Sequence, residues 1–379
     1  MIESDFRIAQ TSGFQSVDES LRYERLLVEL SAGFINLSAD RIDAAIEDGL
    51  RRIVGTLGID RSTLSRVSAE TGHFRSTHSW AVQGLAPVPA TVTSYTFPWV
   101  LAMMRAGKPI VFSRLSELPP EAAEDRWSYE QTGLRSHVAL PLIVAGELLG
   151  VLGFGTMRRE RTWSADLVDR LRRVADIFAN ALARKRAQED IDRALGFERL
   201  LADISASLLR GPWGNLDRAV AKALQAIGQF LDVDRVLLWR LSDDVERYEV
   251  VRQWVADGVA APTATAEKRQ LPMIFARVSL GQVVALSSID DLPSEASADK
   301  ELLRQFGTRA LLVVPLIVDG ATGGALSLAS VRGTHAWPDA LIPRVRLVGE
   351  VFASVLARRQ SARQIEDAQV ETAQYRERL

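Results

Sequence analysis

The sequence predicts an α+β chain of two similar units, each a mainly antiparallel sheet flanked by helices, joined by a long connecting helix. Three observations predict it. "LPLIVAGELLGVLGFG" at Leu140–Gly155 is an apolar run, an Ala-Gly turn and a second apolar run, the pattern of a buried β-hairpin. Nearly the same words return as "VPLIVDGATGGALSLA" at Val314–Ala329, with Pro141 and Pro315 standing 174 positions apart. Apolar residues spaced three and four apart precede and follow both hairpins, as amphipathic helices require.

The step of 174 holds without gaps along most of the chain. It carries "YERLL" (Tyr23–Leu27) onto "FERLL" (Phe197–Leu201) and "IDRSTLSRVS" (Ile59–Ser68) onto "VDRVLLWRLS" (Val233–Ser242). It carries Trp80 onto Trp254, "ELPPEA" (Glu117–Ala122) onto "DLPSEA" (Asp291–Ala296) and "FANALAR" (Phe178–Arg184) onto "FASVLAR" (Phe352–Arg358). Solenoid repeats run about 20–50 residues, so this period marks two domains and not an array. The expected division is a tail over 1–20, units over 21–195 and 196–360, and a C-terminal helix over 361–379.

Each unit opens with two helical stretches. Ile42, Ile46, Leu50, Ile53 and Leu57 form one apolar face, matched by Leu216, Val220, Leu224, Ile227 and Leu231, with Asp40 as a candidate N-cap. "DRSTLSRVSA" and "FRSTHSWAV" alternate around "ETGH" and predict a hairpin. A short helix over Trp99–Arg105 and a strand over Pro109–Phe112 follow. "PPEAAEDRWSYEQTG" predicts a helix that starts after a proline pair and stops at Gly133. The hairpin comes next, with Asp319-Gly320 as a favoured type I′ turn and Ala145-Gly146 as a weaker one. Pro141 and Pro315 cannot donate to a ladder and mark an edge or a bulge. Gly150 and Gly324 are expected to admit another element close to the sheet. From Ala165 to Leu209 there is no proline and a single glycine, enough for a helix of roughly 70 Å.

Composition bounds the chemistry. The 379 residues are 47 % hydrophobic and 25 % charged, with a formal net charge of −2, which gives no electrostatic case for a nucleic acid or an anionic membrane as partner. With no cysteine, disulfides, thiol catalysis, Cys-ligated zinc and thioether-linked chromophores are excluded. The start has no signal-peptide core, and the longest apolar run, Ala310–Val318, is far short of the ~20 residues that span a bilayer, so a cytoplasmic location is expected. No P-loop, H-E-x-x-H or nucleophile elbow occurs, and no enzyme activity is assigned. The four histidines, His73, His78, His137 and His335, show no metal-ligand spacing on a helix. His78 and His137 lie on expected strands that the fold is free to bring together, and packing or hydrogen bonding is their plainer role.

The element order, the duplicated "PLIV-x-G…G" hairpin, the "DR" strand starts at Asp60-Arg61 and Asp234-Arg235, and the "FANALARKR" exit helix resemble the GAF domain, twice over. The resemblance implies a PAS-like sheet with a ligand cavity on one face, and a sensor that binds a small molecule or dimerises. It is nearest to GAF units attached to bacterial histidine kinases or sigma-54-dependent transcription activators. It does not supply a ligand. Phytochrome-like members hold bilin through a cysteine, which this chain lacks, and the cyclic-nucleotide signature is not found, so the cofactor is left unknown.

In that frame Trp80 and Trp254 are either core or the aromatic wall of a pocket for a planar ligand. Arg135 and Arg309 open the two hairpins, where each either pairs with a surface acid or holds an anionic ligand. The middle segments diverge most: Trp99 and Met103 become Met273 and Arg277, while His137 and Phe154 become Leu311 and Leu328. The first unit is therefore the favoured binder. Leu167, Leu171, Val174 and Phe178 follow a 4-3-4 spacing and are candidate dimer contacts along the exit helix. The expected partners are an unidentified small molecule, a second copy joined through the long helices, and an output domain beyond the polar C-terminal helix. A ligand-free dimerisation scaffold is the alternative.

Overall fold

The computed structural model describes residues 21–35, 37–67, 74–88, 97–210, 216–262 and 264–358. The chain divides into compact units at Met1–Asp192 and Arg193–Leu379. In the first, α1 (21–35) and α2 (Ile42–Leu57) lead into strands β1 (Arg61–Val67) and β2 (Phe74–Ala81). Helix α3 (Pro98–Arg105), β3 (Ile110–Phe112), α4 (Ala123–Gln131), β4 (Ser136–Val144) and β5 (Glu147–Thr156) follow. The exit helix α5 (Ala165–Arg210) runs on through the boundary between the units. This is the order read from the sequence. The strands pair antiparallel in the order β2-β1-β5-β4-β3.

The second unit repeats the plan with α6 (Leu216–Leu231), β6 (Arg235–Leu241), β7 (Arg247–Val255), α7 (Pro272–Ser279), β9 (Val284–Leu286), α8 (Ser297–Gln305), β10 (Ala310–Val318) and β11 (Ala321–Ser330), then α9 (342–358). A short strand β8 (Thr265–Glu267) adds to β7, giving the order β8-β7-β6-β11-β10-β9. Its equivalent in the first unit lies outside the described residues, as do "ETGH" and the C-terminal 361–379 helix.

Strand alternation gives each sheet two buried faces. In the first unit Leu64, Val138, Leu140, Leu142, Leu152 and Phe154 pack on the long helices. The intervening residues Ala139 and Val151 face α3 and α4. Helix α2 contributes Ile42, Ile46, Leu50 and Ile53, each at most 1 % exposed. Each such side chain contributes about 1.5–3 kcal/mol when withdrawn from water. Leu171, Val174 and Phe178 are completely buried in this same core and Leu167 packs against it. The spacing therefore serves the unit's own core, and Leu171, Val174 and Phe178 present no surface to a second chain, while Leu167 is half-buried.

Both hairpin turns are type I′. Ala145 and Gly146 have φ of 52° and 83°, and Asp319 and Gly320 have 51° and 82°. Gly150 and Gly324 do admit a close approach, by the neighbouring strand of the sheet in both units and, at Gly324, also by Leu356 of α9, 3.0 Å from where a Cβ would stand. A Cβ on Gly150 would stand 2.6 Å from the Ser65 carbonyl oxygen, and one on Gly324 2.2 Å from that of Trp239. Opposite those residues the partner strands bulge, β2 at Thr77 and β7 at Val251. Pro141 lies past the end of β3, which pairs only with His137–Ala139. Asp40 does not cap α2. It sits inside a 3-10 turn, Ala39–Arg41, and no side chain caps α2.

Two buried aspartates per unit hold the connections. Asp60 accepts from the backbone N–H groups of Met157 (2.7 Å) and Arg158 (2.9 Å), and Asp234 does the same for Val331 (2.7 Å) and Arg332 (3.0 Å). Asp125 on α4 accepts from Trp99 N–H (3.2 Å) and Val100 N–H (2.9 Å) at the start of α3. Asp299 on α8 repeats this at Met273 (3.2 Å) and Ile274 (2.9 Å) of α7. A carboxylate at a helix N-terminus satisfies donors that have no partner inside the helix. In each unit it ties the helix over the sheet to its neighbour.

Candidate functional site

The face of the second sheet turned away from the long helices is hollow. Arg235, Leu237 and Trp239 alternate along β6 and share that face, while Val236 and Leu238 enter the opposite core. Opposite them in register on β11 stand Ala329, Ser327 and Ala325. Beyond these, Leu311 and Val313 of β10 complete the floor. The middle row is made of small residues, so the floor dips. Ile274 and Val278 of α7 roof the dip, and Leu303 and Phe306 close the α8 side. The cavity, partly open to solvent, measures about 90 Å³. For scale, an apolar cavity of about 150 Å³ holds benzene.

The walls are almost wholly apolar. Tyr248 of β7 packs its ring on Phe275 at 4.9 Å between centroids. Trp239 Nε1 donates to Ser327 Oγ at 2.7 Å, satisfying two polar groups at once. Arg235 is the exception. It is 4 % exposed, its Nη1 donates to the Phe306 carbonyl at 2.7 Å, and its buried Nε has no partner. Burial lowers its pKa, with the neighbouring Asp234 charge acting the other way.

The same face of the first sheet is hollowed further, by Gly153 and Gly155, yet it is filled from within. A Cβ on Gly153 would lie 2.8 Å from His137 Nε2, and one on Gly155 2.5 Å from Leu134 Cδ1. In the second unit the positions of Leu134 and His137 are held by Thr308 and Leu311. The His137 ring stands among Phe112 (5.9 Å) and Tyr129 (5.4 Å), and its buried Nδ1 has no partner. Burial, and then the Arg61 charge, pull its pKa down to about 3.

The other residues singled out from sequence are dispersed. Phe154 lies on the far face, in the core of the long helices, as does Trp254, whose ring covers Gly228 of α6. Trp80 is 41 % exposed on β2, which ends the sheet order. Trp99 and Met103 are half-buried on α3 against the ring cluster, and Arg135 and Arg309 are exposed. Only Trp99, Met103 and His137 therefore share a neighbourhood. His78 and His137 lie on opposite faces. His78 Nε2 stands 3.3 Å from Asp43 of α2, whereas His137 faces α4. Among the described residues no cluster of His, Asp and Glu is fit to hold a metal ion.

Beside His78 runs an open polar cleft of about 330 Å³. Several of its charges are paired: Lys185 binds Asp43 and approaches Glu189 (3.7 Å), and Arg186 meets Glu147 (2.6 Å). The second unit repeats the Asp43–His78 contact as Asp217–Arg252 at 2.8 Å. This is a structural ion pair on the helix side.

The residue that sequence reasoning missed is Arg235, with Arg61 as its equivalent. Both stood in the repeated "DR" pair, and the period of two along "DRVLLW" places Arg235 on the face opposite Val236 and Leu238.

A family model described as GAF domain matches residues 41–182 and 215–359. A search of curated proteins finds no match. Among solved structures, the bacteriophytochrome RpBphP3 from the photosynthetic bacterium R. palustris aligns over 89 % of this chain and 76 % of its own, with TM-score 0.57 and 10 % identity. The far-red absorbing dark state of JSC1_58120g3 with bound biliverdin IXa aligns over 42 % of this chain and 99 % of its own, with TM-score 0.38 and 14 % identity. At such identities the likeness to the bacteriophytochrome is one of fold.

Proposed function

The chain belongs to the GAF-domain family, with two units in tandem, and from that premise we propose that it is a sensory input module whose second unit binds a small molecule. The observation that carries this reading is the roofed apolar cavity on the free face of the second sheet. A ligand there touches α7 and α8 above and β6, β10 and β11 below, so its binding free energy differs between roof positions. That difference is what a sensor needs to bias a conformational equilibrium. Strand β11 leads into α9, and α5 spans the unit boundary, so these helices are the proposed carriers of the state to an output domain. The proposed setting is a cytoplasmic signalling protein of the histidine-kinase or sigma-54-activator kind, acting by binding and not by catalysis. No described helix is long and apolar enough to cross a membrane.

One observation favours a homodimer alongside this role. Leu21, Val28 and Ile35 stand seven apart on α1 and are 63 %, 67 % and 63 % exposed. A heptad row of this kind suits helix-to-helix contact with a second copy.

Native mass spectrometry of the gently purified chain tests the sensor reading. A small molecule should be retained by the protein and lost from Thr308→Leu, which refills the hollow as Leu134 does in the first unit. A chain that is persistently empty, in the cell extract as after purification, refutes it.

A further inference from the structure

A guanidinium in an apolar chamber calls for an explanation. Arg235 projects into the cavity from the first position of β6. It is almost fully withdrawn from water, and among the described residues it makes no ion pair with a carboxylate. Asp234 is adjacent in sequence, but its carboxylate is committed elsewhere. It accepts from Val331 and Arg332 N–H and pairs with the Arg332 guanidinium at 3.2 Å. Among the described residues its guanidinium's one hydrogen bond is to a neutral carbonyl, that of Phe306. Its Nε–H is buried with nothing to accept it. A buried charge of this kind is costly unless something pairs with it.

We propose that the cavity of the second unit takes a small monocarboxylate with an apolar body, its carboxylate held by Arg235 and its body lying between Leu237, Ile274, Val278 and Val313. This rests on the reading of the second unit as the ligand-binding one. Three features select the class. The planar guanidinium fork matches a carboxylate in shape. One cation balances one negative charge, whereas a phosphate monoester brings about −1.5 to −2 and would leave charge unmatched in an apolar chamber. Past Arg235 the walls are mostly hydrocarbon and ring surface: the Trp239 and Ser327 polar groups satisfy each other, and Thr308 and Tyr248 add the other hydroxyls of the lining. On the scale set by benzene, the volume suits a body of about three to four carbons. The lowered pKa of Arg235 fits a cation waiting for its counter-ion.

Calorimetric titration of the full chain decides the matter, with butyrate, isobutyrate and isovalerate as probes, each beside its neutral amide. Acid and amide share a shape and differ in charge. At least one acid should bind about tenfold or more tightly than its amide, the scale of a charge-assisted hydrogen bond. Arg235→Met should erase that preference while leaving the melting temperature of the second unit unchanged or higher, because it removes an uncompensated buried charge. An arginine retained only to brace Phe306 gives the reverse: a lower melting temperature on substitution and no acid preference in the wild type. Acids and amides binding alike overturn the carboxylate assignment and leave the cavity reading intact. Neither series binding, with the mass spectrum also empty, overturns both. The wild-type comparison is decisive by itself should Arg235→Met fail to fold.

Discussion

His137 should make the first unit acid-sensitive, and replacing it with leucine should remove most of that sensitivity. In the folded chain the ring is enclosed by Phe112 of β3 and Tyr129 of α4, with the Arg61 charge of β1 nearby, and its pKa falls to about 3. In the unfolded chain it returns to the ordinary value of 6.5. Between those two values the unfolded state binds a proton that the folded state excludes. Stability from this group is therefore complete above about 6.5 and is lost as the pH falls toward 3. Each pH unit in that window is worth about 1.4 kcal/mol, so by pH 5 the loss is about 2 kcal/mol. His137→Leu places at this site the residue found at Leu311 and leaves the apolar neighbours intact. Urea unfolding at pH 7 and pH 5, followed for wild type and variant, measures the difference. His78, whose pKa burial also lowers against the pull of Asp43, is common to both proteins and cancels. Parallel pH profiles for the two proteins refute the reasoning.

The repeat supplies its own controls for the remaining expectations. Asp125→Ala and Asp299→Ala should each destabilise their own unit by about 2–4 kcal/mol and by similar amounts, since each leaves two buried backbone donors unsatisfied. Denaturation curves that differ by more than about 1 kcal/mol between the two would show that the helix over the sheet is not held alike in both units. Gly150→Ala should destabilise by about 1–3 kcal/mol or more, because the new methyl meets a backbone oxygen. Gly146→Ala has open space around it and should cost only about 1 kcal/mol, from its φ of 83°. Phe178→Ser should unfold the first unit, seen as lost tertiary signal by circular dichroism, and not release folded monomers, because the ring is part of that unit's core.

The order of elements was legible because each rests on a local pattern. The α2 face repeats every three or four residues, the hairpins alternate around a Gly-containing turn, and α5 carries no proline. Ala145 shows the limit of such signals. It adopts the same left-handed geometry as Asp319 without being a favoured turn residue, since the paired strands impose it. The site was less legible. Ring chemistry singles out Trp80 and Trp254 and the difference between the copies singles out Phe154, but the face a strand residue takes depends on register, and a bulge such as that opposite Leu64–Ser65 shifts it. Leu171, Val174 and Phe178 show the same limit, since a 4-3-4 spacing describes equally a helix on its own sheet and a helix on a partner.

Comparing the two sheets face by face shows why the repeat pointed to the scaffold and away from the site. On the face covered by the long helices, Leu64, Val138, Leu140, Leu142, Leu152 and Phe154 meet Leu238, Leu312, Val314, Leu316, Leu326 and Leu328, apolar throughout. Any large apolar residue satisfies that face, so the words repeat. On the other face Thr63, Ser65, His137 and Gly153 meet Leu237, Trp239, Leu311 and Ser327, and neither size nor polarity is kept. The arginine at the head of the strand is kept, as Arg61 and Arg235, and both are shielded enough for burial to lower their pKa. In one unit that arginine heads a face filled by its own histidine and leucine; in the other it heads a hollow. On the proposed sensor reading, ligand choice lies in the differences on one face of an otherwise shared sheet, and the shared arginine sets the charge that an occupant of the hollow would bring.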